Sequence, residues 1–448
     1  MTLTNENYTK KKTLKTILVF SLPPMISMLI QSLYNIVDSM YVAKLGNDAI
    51  TAITYAMPLQ NLVLAFAVGT GVGLNSYMSR KLGEKDYHSA VKVIHQGFFL
   101  TIITALLFIL FGYLFIPSFF KLFTDNQNIL TMCYDYTYIV VYFAIFQLVH
   151  ILIEKIMQAN GKMVFSMLMQ ALGAIINIIL DPIFIFNLGM GVKGAAIATI
   201  IGQASAMIVS FGFLFLVKFP FKITLKDACI SPKIIKEIYK VGFSSILMTG
   251  LTSFLVIFLN SILGNYSQDA VNTYGLYFRL QTFVFMPLSG LTQGILPILG
   301  YNYGAKCKHN LMLTFKQSLI IGLVLMAFGT ILFEALPRQL LMLFSPSESL
   351  LNLGEHVLRI IAISFIPACF AIIIPTLFQA LGKGLDSLIV YSLRQFIIVV
   401  PLAYLFSYLF GLEGIWYIFL IAEIVSAAIS LLLLFRILKK DLVLNVKC

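Results

Sequence analysis

Residues 45–55 read LGNDAITAITY, and positions 263–274 read LGNYSQDAVNTY. Three further pairs follow in the same order. RKLGEKDYHSA at 80–90 answers YNYGAKCKHNL at 301–311, MQANGK at 157–162 answers FQALGK at 378–383, and GVKGAAIATIIGQ at 191–203 answers GLEGIWYIFLIAE at 411–423. The offset stays at roughly 220 residues, as tandem duplication of one unit predicts. The chain therefore reads as two copies of a single building block.

Composition states what that block is made of. Of 448 residues, 59% are hydrophobic and only 11% charged, and the mean hydropathy is +0.93. A soluble chain carries about twice that charge, so most of this one lies in lipid. Apolar runs near the ~20 residues needed to cross the hydrocarbon core recur throughout. They fall near 15–42, 49–76, 89–117, 133–158, 163–188 and 191–217, and again near 235–263, 271–299, 311–336, 355–381, 386–410 and 413–437. The expected fold is an all-α polytopic membrane protein of twelve transmembrane helices, arranged as two six-helix bundles. An even number of crossings separates the copies, so they keep one orientation and are related by a pseudo-two-fold axis normal to the membrane. Residues 1–217 form the first bundle, 218–240 a cytoplasmic linker with two prolines, and 241–448 the second bundle.

The net charge of +12 does not describe a nucleic-acid surface. Lys and Arg cluster in alternate loops: KKK at 10–12, RKLGEK at 80–85, NGK at 160–162, the linker, AKCKH at 305–309, GKG at 382–384 and LKKD at 438–441. That alternation is the positive-inside pattern and puts both termini in the cytoplasm. The run of the first span lacks a small-residue cleavage site before it and reads as a retained helix. The five cysteines are scattered without a CxxC pair, which suits neither a disulfide framework nor a zinc site. The chain carries no HExxH, GxSxG or P-loop, so neither an enzyme nor an ATP-driven pump is indicated, and no cofactor is expected.

Polar residues inside the spans are few and aligned. Ser27, Gln31, Tyr34 and Asp38 make one stripe on the first span, and Ser166, Gln170, Gly173, Asn177 and Asp181 make another on the fifth. Thr199 and Gln203 lie a turn apart on the sixth. In NIILDPIFIF, 177–186, a carboxylate sits beside Pro182, which frees a carbonyl one turn earlier and bends the helix. A charge at that depth needs a partner or a task. Two carboxylates brought close cannot both stay ionised without a cation or a proton between them. Asp38, Asn177, Asp181 and Thr199 are thus the expected coupling-cation site, for Na⁺ or H⁺, and Pro182 the kink that responds to it. Counting back from LGN, Asp38 maps onto Val256, and the proline segments set Asp181 opposite Val400. The second copy keeps Ser245, Thr249 and Thr252 of the polar seam and has lost both acids, which argues for one ion site, in the first bundle. Glu154 and Lys155 are expected to snorkel to the interface, with Glu154 able to turn toward the aspartates. Glu423 matches Gln203 in the repeat, and Arg279 reads as an interfacial or structural residue.

LYNIVDSMYVAKLG (33–46), SRKLGEKD (79–86), QANGK (158–162) and NIILDPIFIF followed by GVKGAAIATIIGQ resemble the multidrug and toxic compound extrusion (MATE) family, closest to its DNA-damage-inducible-F-like and staphylococcal-type branches. The resemblance spans nearly the whole chain. It implies a secondary active exporter in the bacterial cytoplasmic membrane, working by alternating access as an antiporter of Na⁺ or H⁺ against cationic lipophilic compounds. Its partners would be those small cations and membrane lipids, with no nucleic acid, and the chain would act as a monomer. The family's ion site falls on Asp38, Asn177, Asp181 and Thr199, and Tyr34 and Glu154 match positions seen in relatives. Gln31, Gln170 and Gln203 join Tyr34 and Glu154 as expected cleft-lining residues. Some relatives carry a glutamate on the eighth helix, where TFVFMPLSG (282–290) has no acid. The alternative is a flippase for a lipid-linked precursor, which wants several arginines or lysines facing the cleft; only Arg279 and Arg394 are eligible here. An intramembrane lipid enzyme would need a catalytic dyad or metal cluster, and none is visible.

Overall fold

A computed structural model describes residues 10–223, 230–344 and 348–440, and within these the chain is helical with no strand. The first copy contains α1 (Lys10–Ala43), α2 (Asn47–Gly83), α3 (Tyr87–Lys121), α4 (Gln127–Tyr142), α5 (Ala144–Ala159), α6 (Met163–Pro182), a π-helical turn (Ile183–Asn187) and α7 (Gly191–Leu216). The second contains α8 (Pro232–Gly264), α9 (Gln268–Gly304), α10 (Lys308–Ala335), the short α11 (Pro337–Met342), α12 (Glu348–Ala362), α13 (Phe365–Ala380), α14 (Gly384–Ser392), a π-helical turn (Leu393–Ile397) and α15 (Val399–Lys440). The LGN repeats each lie where a long helix ends and the next begins. In the second, the Ser267 side chain caps α9 by accepting from the Ala270 N–H at 3.1 Å.

Among the described residues nine helices are long and apolar enough to cross a bilayer, and α4 with α5 and α12 with α13 make two further crossings bent by 45° and 49°. The last run, Gly384–Lys439, has 56 residues. A straight helix of that length would reach about 84 Å, far beyond a hydrocarbon core of ~30 Å. It is broken at Gly411, whose φ of 67° and ψ of −153° lie outside the helical region. Counting this run as two crossings gives twelve. The bend before α13 follows from Pro367, which leaves the Ile363 carbonyl without its helical donor. The bend at Phe143 has neither proline nor glycine beside it, so the sequence holds no signal for it.

The chain divides into two compact units. One holds Ile26–Ile246; the other holds Leu247 onward together with the first part of α1, through Met25. The boundary therefore falls inside α1 and inside α8, whereas the sequence reading assigns residues 1–217 to one bundle and begins the other at 241. Glycines account for the difference. A Cβ on Gly290 of α9 would lie 2.6 Å from the Met25 Cα, and one on Gly294 would lie 2.6 Å from the Ser21 Cα. Only bare backbone lets α1 approach that closely. In the first unit, Gly69 of α2 similarly abuts Gly242 of α8, with the Gly242 carbonyl 2.8 Å from where a Cβ would stand.

The interior of the first unit is built on α2. Its Ala49, Ala52, Ala56, Leu59 and Val63 are buried against Val140 and Val141 of α4, Leu148 of α5 and Ala195 and Ala196 of α7. In the second unit Phe365 of α13 meets Phe285 of α9 and Phe333 of α10 edge to face, at centroid distances of 5.3 and 5.2 Å.

Candidate cation site

The site rests on the packing of α6 against α7. A Cβ on Gly202 would meet the Gly173 carbonyl at 2.7 Å and the Asn177 Cβ at 3.1 Å. With hydrogens at both positions the helices close up, and side chains one turn further along come within hydrogen-bonding distance. Asn177 Nδ2 donates to Asp181 Oδ1 at 3.3 Å and lies 3.4 Å from Thr199 Oγ1. Asn177, Asp181 and Thr199 are all buried, Asp181 completely.

From the other side, α1 supplies Asp38 and Tyr34. The Asp38 carboxyl stands beside that of Asp181, and the Tyr34 hydroxyl pairs with Thr199. The structure thus brings together Asp38, Asn177, Asp181, Thr199 and Tyr34. No lysine or arginine pairs with either aspartate among the described residues. Three side-chain oxygens of the group, Asp38 Oδ1, Asn177 Oδ1 and Asp181 Oδ2, are buried without a hydrogen-bond partner. Two acids and an amide oxygen, all turned inward and short of positive charge, suit a small hard cation or a proton. Among the described residues no group of three His, Cys, Asp or Glu side chains lies close enough to hold a transition metal.

The cleft residues divide. Gln170 Nε2 donates to Gln31 Oε1 at 3.3 Å, joining α6 to α1 about three turns before Asp181 and two before Asp38. Gln203, a turn beyond Thr199, keeps a buried Oε1 without a partner. Glu154 is not with them. Instead of snorkelling, Glu154 and Lys155 are both buried and bond each other at 3.0 Å, and Gln158 Nε2 donates to Glu154 at 2.7 Å and to Ser166 Oγ at 3.0 Å. The physical reason is that an adjacent Lys–Glu pair carries no net charge inward, and Gly71 of α2 leaves room for the lysine stem.

Pro182 sits at the end of α6, immediately before the π-helical turn, with no N–H to offer the Ile178 carbonyl. The carbonyl of Phe184, in that turn, lies 2.6 Å from where a Cβ on Gly194 would stand, so α7 packs against the irregular backbone itself. Arg279 is exposed, and Arg394 is bonded to Glu423 at 2.6 Å, which leaves no described free arginine pair for a polyprenyl phosphate.

Sequence reasoning missed one pair. Tyr136 of α4 is buried, pairs with Gln60 of α2, and feels the charges of Asp38 and Asp181. It lies in YDYTYIVVY, where Tyr134, Tyr138 and Tyr142 share one helical face and Tyr136 points away from them, with only Met132, Cys133, Ile139 and Val140 a turn away, so no polar seam marks it. Only the packing of α4 on α2 selects it.

The family model described as MatE matches residues 23–183 and again 244–405, once in each copy. The chain is 28% identical over 429 residues to the multidrug export protein MepA of Staphylococcus haemolyticus, covering 94% of this chain and 93% of that one. It is 26% identical over 435 residues to MepA of Staphylococcus aureus, covering 96% and 95%. Among solved structures it is similar to an outward-facing multidrug resistance MATE family transporter of the MOP superfamily, with a TM-score of 0.91, 27% identity, and coverage of 96% and 97%. A MATE structure in complex with MaL6 gives the same TM-score and identity, covering 96% and 98%.

Proposed function

This chain belongs to the MatE family and is a multi-pass membrane transporter, and on that premise we propose that it is a multidrug antiporter exporting lipophilic cations in exchange for inward Na⁺ or H⁺. The observation that carries the coupling is the Asp38–Asp181 pair, two acids side by side with no lysine or arginine among the described residues to compensate them. In a low-dielectric interior such a pair favours the arrival of one positive charge. Asn177 and Thr199 orient Asp181, and Tyr34 bridges from α1 to Thr199.

The cycle follows from that deficit. An ion arriving from the outer face neutralises the aspartates and changes the balance of forces on α6 at Pro182. The helix bends there, the cleft closes, and the drug cation, which gains from the uncompensated acids in the ion-free state, is released. Ion and drug thus compete for the same negative charge, which makes the exchange obligatory. Tyr34, Gln31, Gln170 and Gln203 would line the drug's path. Both termini are assigned to the cytoplasm from the loop charges.

The test is drug uptake into inverted vesicles under an imposed Na⁺ gradient or an imposed pH gradient, with wild type beside Asp181→Asn. One of the two gradients is expected to drive uptake in wild type, and the variant to abolish it. Uptake that survives in the variant, or that neither gradient drives, removes the coupling role and moves the flippase reading forward.

A further inference from the structure

The second unit also holds a buried acid at membrane depth, and this one has a cation of its own. Glu423, on α15, is buried, and its Oε1 accepts from Arg394 Nε at 2.6 Å. Glu423 Oε2 has no partner. The arginine therefore grips by one nitrogen of its fork, where a guanidinium and a carboxylate facing each other squarely form two parallel bonds. Arg394 itself sits on the π-helical turn Leu393–Ile397, a stretch of backbone without the regular α-helical register.

Around the pair is an aromatic box. The guanidinium lies 5.6 Å from the centre of the Phe285 ring. Tyr274, Tyr277 and Phe419 form a cluster with centroids 5.7–6.2 Å apart. Together with Phe278, Gln281 and Thr252 they line a cavity of about 50 Å³ into which Arg394 and Glu423 both open. That volume takes a water or two; it takes a planar cation only when the arginine head vacates its place.

We propose that Arg394 is an internal stand-in for substrate, and that the Glu423 cavity is a binding site for planar, delocalised organic cations of the amidinium or guanidinium type, which enter by displacing it. The inference rests on reading the chain as a cation exporter and names a substrate class for it. A planar amidinium reaches both carboxylate oxygens, including the one Arg394 leaves idle. Its charge is weakly hydrated and stacks on aromatic faces. A tetrahedral ammonium with four alkyl groups has no N–H to offer and cannot make those bonds. Asp38 and Asp181 of the first unit have no described lysine or arginine partner and need an external ion; Glu423 of the second unit has a cation that the chain carries covalently and can trade. The cost of the trade falls on Arg394, which must reach water, so the wild-type site is weak and its affinity is set by the arginine.

The experiment uses purified full-length protein without any gradient. Benzamidinium is the probe, tetraethylammonium the charge-matched control, and the readout is the fluorescence of Trp416, the chain's single tryptophan, two helical turns before Glu423 and fully buried. Removing the competitor in Arg394→Ala is expected to tighten benzamidinium binding by about tenfold or more, the scale of one charge-assisted bond. Arg394→Lys, which keeps the charge but not the plane, serves where the alanine variant does not fold and is expected to tighten binding to a lesser degree. Adding Glu423→Gln to either variant should abolish the gain, and tetraethylammonium should show none. Binding no tighter than wild type in both arginine variants, or a gain that survives Glu423→Gln, makes the pair a structural clamp and overturns the proposal. Asp181→Asn should leave the gain produced by the arginine variants intact, so a failure of the coupling site and a failure of this one give different results.

Discussion

Asp181 and Glu154 are both acids buried in membrane-spanning helices of one unit, and they differ in what compensates them. Glu154 has the adjacent Lys155 ammonium at 3.0 Å and the Gln158 amide at 2.7 Å; Asp181 has Asn177 and another acid. A compensated acid holds structure, and an uncompensated one is available to an ion. The difference is testable at single positions. Glu154→Gln strands the Lys155 charge and is expected to lower stability by about 3 kcal/mol, read as a fall in thermal unfolding midpoint, while gradient-driven uptake per folded molecule persists. Asp181→Asn is expected to do the opposite, leaving the folded protein intact and uncoupled. If the two variants behave alike, compensation is not what separates the acids.

Helices place these side chains, and glycines set the distances between helices. Gly202 lies where any Cβ would press on the Gly173 carbonyl and on Asn177, whereas Gly212, further along the same α7, has nothing within 4 Å. Gly202→Ala should therefore separate α6 from α7, cost about 1–3 kcal/mol of overpacking, and weaken coupling-ion binding by moving Thr199 from Asn177. Gly212→Ala should change neither, since its Cβ enters open space. Isothermal titration with the coupling ion, beside thermal unfolding, separates the two. The other element-scale device is the junction of α6 with the π-helical turn at Pro182. Pro182→Ala restores a donor for the Ile178 carbonyl and straightens that junction, so transport turnover should fall with ion affinity preserved. Unaltered turnover would show that the helix does not work by bending there.

At the scale of the molecule, the two copies share a plan and have diverged in charge. Twelve crossings return the chain to its starting side, so Lys12→Cys and Lys439→Cys in a cysteine-free background should react with a membrane-impermeant thiol reagent from one face of the membrane. Glu413→Cys, beside the break at Gly411, should react from the other; labelling of all three from one face would overturn the crossing count. Much of this was readable beforehand. The repeated LGN segments, the apolar runs and the seams of Asp38, Asn177, Asp181 and Thr199 are one-dimensional signals, because lipid imposes length and helical periodicity imposes spacing on every span. The bend at Phe143 has no such signal, and Tyr136 has no polar residue a turn away to make a seam. The fate of Glu154 and Glu423 was equally invisible: one is paired by its own neighbour, the other by Arg394 on another helix. Sequence by itself determined the number of spans, the duplication and the residues that form the first unit's acid cluster. Tertiary structure alone decided which buried acids are compensated and where α1 is divided, because compensation depends on distances of a few ångströms between helices, and those are set by glycine contacts that no periodicity reports.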